Sequence, residues 1–307
     1  MSESSSQQSV IYPYKGFIMV IVGAALWGLS GTVAQELFQN EGFTPSWLVT
    51  IRLLISGFLL LLSRYFRKSP HGIWDVWNSV DLIQLLIFGC LGMLGVQYTY
   101  FAAIQTGNAA TATILQYMGP LFIAVYLIAR YQRIPRVTEL IAMGLALFGI
   151  LLLVTNGSID KLSISWIALL WGLGSGIALA FYTLYPSDLL KRWDSDLIVG
   201  WGMTIGGLGL SLINPPLKIQ GQHWSVITGF FVAFVIIFGT LIAFYLYIDS
   251  LRYITPTEAS LLASAEPLSA TITSVIWLHI PFGIFEAIGG MFIVGAVAVL
   301  LLLRSDE

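Results

Sequence analysis

Two charged residues, Arg52 and Glu266, stand inside long apolar runs of this sequence. A charge removed from water is costly, so such a residue is retained where it pairs with an opposite charge, binds a ligand or exchanges a proton. One interpretation is an internal ion pair between Arg52 and Glu266 that fixes helix packing. The other is that at least one of them binds a substrate, with Glu266 also able to carry a proton. The sequence leaves both interpretations open.

Neutral polar and aromatic side chains interrupt several other apolar runs. Such side chains offer hydrogen-bonding groups and large rings, so together they could line an amphipathic pocket. Taken singly, a residue of this kind is more often a contact between two helices. Together with the two charged residues, the candidate substrate-binding residues are Trp27, Arg52, Gln97, Tyr98, Gln116, Tyr182, Tyr245 and Glu266.

Two prolines lie near the middle of long apolar segments, in Gly119-Pro120 and Glu266-Pro267. Proline removes a backbone hydrogen bond and leaves the carbonyl four residues earlier without its donor. A harmless kink is one interpretation of each proline. Their matched positions favour the other, in which flexible or broken helices face a central cavity. We therefore predict hinges at Gly119, Pro120 and Pro267.

The sequence has no pattern of a nucleophile, a nucleotide site or a metal site. Its histidines, His71, His223 and His279, fall at or near predicted loops and form no HExxH motif. The glycine-rich stretch 172–176 lacks the lysine of a P-loop. We expect no catalytic residues, no metal and no cofactor, and we expect that the protein is not an enzyme. The alternative class is a membrane sensor or an intramembrane enzyme without transport.

The elements that must position these residues are membrane-spanning helices. Of the 307 residues, 57% are hydrophobic and only 10% are charged, too few to cover a water-soluble globule. Because about 20 apolar residues cross a bilayer as a helix, the chain is predicted to be an all-α integral membrane protein with ten transmembrane helices. The ten predicted spans are Gly16–Ala34, Pro45–Leu62, Leu82–Ala103, Asn108–Ile128, Pro135–Val154, Ile164–Tyr185, Leu197–Ile213, Trp224–Ile248, Pro256–Leu278 and Gly283–Leu303.

The basic residues predict the orientation of these spans, because lysine and arginine accumulate in cytoplasmic loops. Eleven of the 14 share one side, two lie on the other, and Arg52 is inside a span. Both termini are therefore predicted to be cytoplasmic, in a bacterial inner membrane. The eleven residues are Lys15, Arg64, Arg67, Lys68, Arg130, Arg133, Arg136, Lys191, Arg192, Arg252 and Arg304.

Charge and loop length limit the partners of the chain. The net charge of -2 offers no basic field for nucleic acid. The predicted loops are too short for a soluble domain, so the expected partners are lipid and a small-molecule substrate, and the oligomeric state is open. The stretch 73–80 has the spacing of a short interfacial helix, although a solvated loop fits it nearly as well.

An internal repeat relates the two halves at a constant offset of 147 residues. Glycine, tyrosine, proline and glutamate recur together without a gap, which indicates duplication. Each unit has five spans, an odd number, so the second copy starts on the opposite side of the membrane and the repeats are inverted. We predict a disordered tail at 1–14 and five-helix repeats at 15–156 and 157–307. The matching pairs are Gly92/Gly239, Tyr98/Tyr245, Tyr100/Tyr247, Ala112/Ala259, Leu115/Leu262, Pro120/Pro267 and Glu139/Glu286.

These features together resemble the drug/metabolite transporter superfamily, specifically its EamA-type ten-helix carriers, over nearly the whole chain. The resemblance implies a secondary carrier, often an exporter of amino acids or other small metabolites. It further implies a central cavity lined mainly by spans one, three, four, six, eight and nine, with spans five and ten peripheral. The residues that carry it are Trp27-Gly28, Arg52, Asn108-Ala109-Ala110, Gly119-Pro120, Gly144 to Gly149, Thr257-Glu258-Ala259, Glu266-Pro267 and Gly289 to Gly295.

The sequence departs from this family at one pair of positions. The family commonly has a glutamate about a dozen residues after each proline, whereas this chain has Gln132 and His279 there. The role of that acid therefore does not transfer. The resulting hypothesis is a secondary active transporter, an exporter of small amphipathic metabolites such as amino acids, that works by alternating access with possible proton coupling through Glu266.

Overall fold

The structure is a computed structural model, and it describes residues 13–66, 72–78, 80–132, 137–156, 164–217, 221–250, 253–254, 259, 262–263 and 265–302. Apart from turns and short loops, these residues form helices. The predicted tail 1–14 lies almost wholly outside them, except that the first helix already begins at Pro13. The all-helical prediction is thus confirmed for the part of the chain that the structure describes.

The first half of the chain, up to residue 156, contains six α-helices and one short 3-10 turn among the described residues. They are α1 (Pro13–Gln39), α2 (Pro45–Tyr65), the 3-10 turn Asp75–Asn78, α3 (Leu82–Thr106), α4 (Ala109–Gln116), α5 (Gly119–Tyr131) and α6 (Val137–Thr155). The middle of α3, Phe88–Met93, is a π-helical turn.

The second half contributes six further helices from the described ranges. They are α7 (Trp166–Leu184), α8 (Ser187–Arg192), α9 (Ser195–Ile213), α10 (226–250), α11 (Ala265–Ile276) and α12 (Ile284–Leu302). A π-helical turn, Ile237–Ile242, interrupts α10 much as the first one interrupts α3.

Several helices begin where a short polar side chain caps the free backbone amides of the first turn. Asn108 accepts a hydrogen bond from the Thr111 amide at 2.8 Å, and α4 starts with the next residue. Ser165 caps α7 in the same way, through the Ala168 amide at 3.1 Å. Local sequence therefore fixes where these segments enter the bundle.

Seven helical segments among the described residues are long and apolar enough to cross a bilayer, each with 19 to 27 residues. The pairs α4–α5 and α7–α8 each count as one segment here. Two further apolar stretches, Leu140–Leu152 and Ile284–Ala296, lie in α6 and α12 but are shorter. The chain is therefore a multi-spanning membrane protein, while the ten-span count and the inverted arrangement stay predictions.

One end of the bundle carries ion pairs in which one partner is buried and the other is partly exposed, and we call it the basic end. Arg64, near the end of α2, pairs with Asp196 and, at 2.6 Å, with Asp194. Arg192, at the end of α8, pairs with Asp81 at 2.9 Å. These contacts join α2 and the start of α3 to the α8–α9 turn, so basic residues predicted to share a side do meet at one end.

In the described part of the stretch 73–80, Asp75–Asn78 form the short 3-10 turn at the basic end rather than a longer interfacial helix. Its Val76 is fully buried, and Trp77 lies 4.8 Å from Trp201 of α9, ring centre to ring centre. The Trp201 indole nitrogen donates to the Ile73 carbonyl at 2.8 Å. These contacts hold the turn against α9.

The turns at the other end, called the opposite end, also contact one another. The Trp47 indole donates to the Pro216 carbonyl at 2.8 Å, and the His223 amide donates to the Glu41 carbonyl at 3.0 Å. The Gln39 side chain donates to the Gly107 carbonyl at 2.9 Å. These bonds join turns that the sequence predicts to lie on one side of the membrane.

The helices α6 and α12 pack on each other at the edge of the molecule. Phe148 contacts Phe292 edge to face at 5.1 Å, and Gly149 lies directly against the backbone of α12 at Gly289. Most of the large side chains of α6 that face away from α12 are exposed, as expected for a lipid-facing helix. The pair covers one flank of the bundle and leaves the centre to the other helices.

Candidate functional site

A cavity of about 370 Å³ lies in the centre of the bundle. Its wall extends to the turn between α7 and α9 at the basic end, and none of its lining residues comes from α6 or α12. The wall is mostly apolar and aromatic, with a few polar groups, as is usual for a small-molecule site. The lining residues that matter below are Trp27, Arg52, Gln97, Tyr100, Phe101, Gln116, Gly119, Pro120, Tyr182, Phe244, Tyr247 and Glu266.

Broken helices supply part of this wall. The α4 helix ends at Gln116, and α5 starts again at Gly119 after a two-residue turn, with Pro120 in its first turn. In the second half α11 begins at Ala265, and the Glu266 amide donates to the Ala263 carbonyl at 2.9 Å. Each interruption lies directly before a matched proline, which cannot donate to the preceding turn. Gly119, Pro120 and Glu266 face the cavity at these breaks, while Pro267 is buried beside it.

Arg52 is buried in the cavity wall without an acidic partner. Only 3% of the residue is exposed, and its guanidinium carbon lies 4.4 Å from the centre of the Phe101 ring. The guanidinium makes neither an ion pair nor a hydrogen bond with any residue that the structure describes. The stacked ring provides cation–π attraction but no counter-charge. The sequence had left open an Arg52–Glu266 ion pair, and the structure does not contain it.

Glu266 lies in the first turn of α11 and faces the same cavity. Its backbone carbonyl accepts from the Ser269 hydroxyl at 3.0 Å, while its carboxylate forms no ion pair within the described residues. The two charged candidates are thus brought into one cavity and kept out of contact. The cavity therefore offers a ligand one cationic group, Arg52, and one anionic group, Glu266.

Two of the candidate tyrosines, Tyr98 and Tyr245, are not among the residues that line the cavity. Tyr98 packs edge to face on Trp171 of α7 at 5.7 Å, and 42% of Tyr245 is exposed on the outer surface. The cavity is lined instead by Tyr100 and Tyr247, each two residues further along. A helix turns about 100° per residue, so residues two apart face nearly opposite directions.

Trp27 lies in the wall beside two rings that are not among the candidate substrate-binding residues. Its ring centre is 5.0 Å from that of Phe244 and 5.2 Å from that of Tyr247. The Trp27 indole nitrogen is buried and has no hydrogen-bond partner among the described residues. Tyr182 stacks on Phe88 at 5.5 Å on another part of the wall. The cavity is therefore largely aromatic.

The remaining neutral candidates, Gln97 and Gln116, also reach the wall. Periodicity could have found the residues that were missed, because Tyr100 and Tyr247 are themselves a repeat-matched pair. Nothing in the sequence marks Phe101 or Phe244, since phenylalanine in a membrane helix is ordinary. Only the packing shows that their rings meet Arg52 and Trp27.

The space between the cavity and the opposite end is closed by contact between α1 and α11. The Thr32 hydroxyl lies 2.7 Å from the Thr273 hydroxyl, and the Ser269 hydroxyl donates to the Ala25 carbonyl at 3.2 Å. A side chain at Gly28 would overlap the Ser269 side chain and the Glu266 carbonyl. This interface, which we call the α1–α11 seam, therefore depends on close approach at Gly28.

Multiple bilayer-length helices around a central cavity with charged and aromatic walls define the molecule as a membrane transport protein. The profile of the EamA-like transporter family matches residues 14–155 and again residues 166–302. The chain belongs to this family, within the drug/metabolite transporter superfamily.

Named relatives agree with this assignment. The chain is 37% identical over 291 residues to the uncharacterised inner membrane transporter YicL of Salmonella typhimurium, covering 94% of this chain and 95% of that protein. It is 26% identical over 268 residues to the threonine/homoserine exporter RhtA of Escherichia coli, covering 85% and 82%. The family and these relatives are transporters and not enzymes.

A solved crystal structure shares the fold. It superposes with a TM-score of 0.63 at 18% sequence identity, covering 96% of this chain and 99% of that chain. At this identity the likeness concerns the fold alone.

Proposed function

We propose that this protein is a secondary active carrier that exports small amphipathic metabolites, amino acids among them, by alternating access across the cytoplasmic membrane. In this proposal ten spans form two inverted five-helix repeats, residues 15–156 and 157–307, with both termini in the cytoplasm. The cavity binds the substrate, and the two repeats exchange conformations so that the cavity faces each side in turn.

Repeated local geometry supports the two-repeat arrangement. Gln132 and His279, which are 147 positions apart, both adopt left-handed backbone angles, with φ of 48° and 52°. A π-helical turn interrupts α3 and another interrupts α10. The helix breaks before Pro120 and Pro267 also match, and the family profile matches the chain in two successive stretches. Independent segments would have little reason to share these irregularities.

The observation that carries the transport proposal is a charge-bearing cavity at the centre of the bundle that is sealed on one side. The cavity wall reaches Pro186, Leu190 and Ser195 at the basic end, while the α1–α11 seam closes the other direction. The basic end is the side that the lysine and arginine distribution predicts to be cytoplasmic. The conformation thus presents the cavity toward the predicted cytoplasm, as alternating access requires of one of its two states. The relative RhtA is itself named an exporter of threonine and homoserine.

Residue roles follow from these positions. Arg52, Glu266, Trp27, Gln97, Gln116 and Tyr182 bind substrate in this proposal, and Gly119, Pro120 and Pro267 form hinges. Tyr98 and Tyr245 lie outside the cavity wall, so direct substrate contact is no longer proposed for them. Proton coupling is proposed for Glu266, because a carboxyl group at depth can alternate between protonated and charged forms.

The test is efflux and uptake of radiolabelled amino acids in proteoliposomes, with and without an imposed pH gradient. We expect wild-type protein to accumulate substrate against its gradient and Glu266→Gln to abolish dependence on the pH gradient. Glu36→Gln is the matched control, since Glu36 accepts from Asn40 at 2.7 Å and is not among the cavity-lining residues. Equal pH dependence in wild type and Glu266→Gln rejects the coupling.

A sensor or intramembrane enzyme is the alternative that this assay separates from transport. Saturable ligand binding to purified protein, without any flux in proteoliposomes of verified orientation, contradicts the carrier. If flux depends on the substrate gradient alone, the protein is still a carrier, but the proposal of active transport is wrong.

A further inference from the structure

Two buried arginines on the same helix have opposite environments. Arg64 and Arg52 are both 3% exposed and both belong to α2. Arg64 is neutralised by Asp194 and Asp196 at the basic end. The Arg52 guanidinium lies over the face of the Phe101 ring and pairs with no carboxylate of the described residues. A buried charge is normally retained only when it is paired and hydrogen-bonded, so Arg52 lacks a partner that Arg64 has.

Among the described residues, Glu266 is the unpaired acid of the same cavity, as Arg52 is its unpaired base. Its carboxylate forms no ion pair with any described residue, although Arg52 lines the same cavity. Counted along their helices from the opposite end, Arg52 lies roughly 10 Å deep and Gly28, which touches the Glu266 backbone, roughly 16 Å. The backbones of Arg52 and Gly28 therefore lie at depths in the bundle that differ by roughly 6 Å. Both residues line the cavity without pairing, so a small molecule bound there can contact both charges.

The wall near Glu266 is aromatic. Trp27 packs with Phe244 and Tyr247, and all three line the cavity together with Glu266. Aromatic faces attract cations and bury apolar groups. The Glu266 part of the cavity thus suits a cationic group beside an apolar body, and the Arg52 part suits an anionic group.

We infer that the substrate is dipolar: its anionic group binds Arg52, its cationic group binds Glu266, and its apolar body packs against Trp27, Phe244 and Tyr247. The inference rests on the proposed function in taking this cavity as the substrate site. A ligand with one charge would leave the other protein charge buried and unpaired, at a cost that a dipolar ligand avoids. The anionic group points toward the opposite end of the bundle.

Three probes with one shared body test the inference. Phenylalanine carries both charges, 3-phenylpropionate carries only the carboxylate, and phenethylamine carries only the ammonium. Leucine, 4-methylpentanoate and 3-methylbutylamine form a second series with an aliphatic body. Affinity for purified wild-type protein is measured by isothermal calorimetry and by ligand-induced thermal shift. In at least one series we expect the dipolar member to bind about ten- to a hundredfold more tightly than either singly charged member.

Variants assign each charge to its residue. With Arg52→Gln, the dipolar probe should bind no more tightly than the amine, and amine affinity should change less than threefold. With Glu266→Gln, the dipolar probe should bind no more tightly than the acid. Lys191→Gln is the control, because Lys191 pairs with Asp188 at 2.9 Å on the exposed surface of α8. All affinities should be unchanged in this control.

The outcomes separate the inference from the carrier proposal. Equal affinity for dipolar and singly charged probes in wild type overturns the inference, as does absence of binding in both series. An Arg52→Gln effect of the same size on acid, amine and dipolar probes also overturns it, since a folding defect would act on all three. Binding is measured without flux, so a protein that binds dipolar probes but fails in proteoliposomes contradicts only the carrier.

Discussion

At the scale of single residues, the contrast between Arg52 and Arg64 is the most informative feature of the molecule. Sequence position alone makes the two look different, because Arg64 falls near a predicted span end and Arg52 inside a span. In the structure both are equally buried, and the difference lies in their partners. Arg64 serves the fold by joining α2 to α9. Arg52 serves the cavity.

Replacing these two arginines by methionine should therefore have opposite effects on stability. Arg64→Met leaves two carboxylates at the basic end without their cation, and we expect the free energy of unfolding to fall by about 2 kcal/mol. Arg52→Met removes an unpaired buried charge and fills its space, so stability should be unchanged or higher. Thermal unfolding in detergent measures both. A loss for Arg52→Met as large as that for Arg64→Met contradicts the assignment.

The repeat-matched tyrosines allow a second test at this scale. Removing the hydroxyl from Tyr247, or from Tyr100, whose hydroxyl donates to Thr113 and can still accept from a ligand, should weaken binding of a cavity ligand about three- to tenfold, the usual effect of one hydrogen bond. Tyr98→Phe and Tyr245→Phe are matched controls, because these rings lie outside the cavity wall. Calorimetric titration of all four variants gives the comparison. If the control variants bind the ligand more weakly than the cavity variants do, then Tyr98 and Tyr245, rather than Tyr100 and Tyr247, contact the ligand.

At the scale of elements, the broken helices connect the site to motion. The α4–α5 break and the start of α11 place cavity residues beside prolines, where the backbone lacks the bonds that keep a helix rigid. Glu266 belongs to α11, and α11 also forms the seam with α1. A ligand that moves Glu266 therefore acts directly on the element that closes the cavity.

Proline replacement tests this connection. Pro120→Ala and Pro267→Ala restore a backbone donor and should straighten the breaks, so we expect the transport rate to fall at least fivefold while ligand affinity changes less than threefold. Pro45→Ala is the control, because Pro45 opens α2 after a non-helical turn capped by Thr44, so a restored amide there has no preceding helix to continue. Initial flux and binding are measured in parallel. Full flux in both cavity variants would remove the hinge role.

At the scale of the whole molecule, one side of the cavity is sealed and the other is not. The seam joins α1 of the first half to α11 of the second through hydroxyl contacts and the close approach at Gly28. The edge pair α6–α12 contributes nothing to the cavity wall among the described residues. Alternating access then requires the seam to open while the edge pair stays packed.

Locking the seam should stop transport. Cysteines at positions 32 and 273, whose native hydroxyls are 2.7 Å apart, should form a disulfide in a Cys90→Ser background. We expect oxidation to reduce flux at least tenfold and a reductant to restore it. The single variants Thr32→Cys and Thr273→Cys, treated with the same oxidant, should keep their flux. Undiminished flux in a fully cross-linked sample would show that the seam does not open.

The sequence by itself determined the helical membrane class, the positions of most spans and the matched prolines. Apolar length, capping residues and proline chemistry are local properties, so they can be read along the chain. It also selected Arg52 and Glu266 as candidate binding residues, because a charged residue within an apolar run can be recognised without knowing the direction of its side chain.

Only the tertiary structure decided which residues share the cavity and which charges pair. The sequence permitted an Arg52–Glu266 ion pair, yet the fold pairs Arg64 with acids of α9 and leaves Arg52 on the Phe101 ring. The choice between Tyr98 and Tyr100 depended on the rotation of α3, which packing against α7 sets. Which charges pair, and which side chains face the cavity, depends on how segments far apart in sequence pack together. No local sequence pattern encodes that packing.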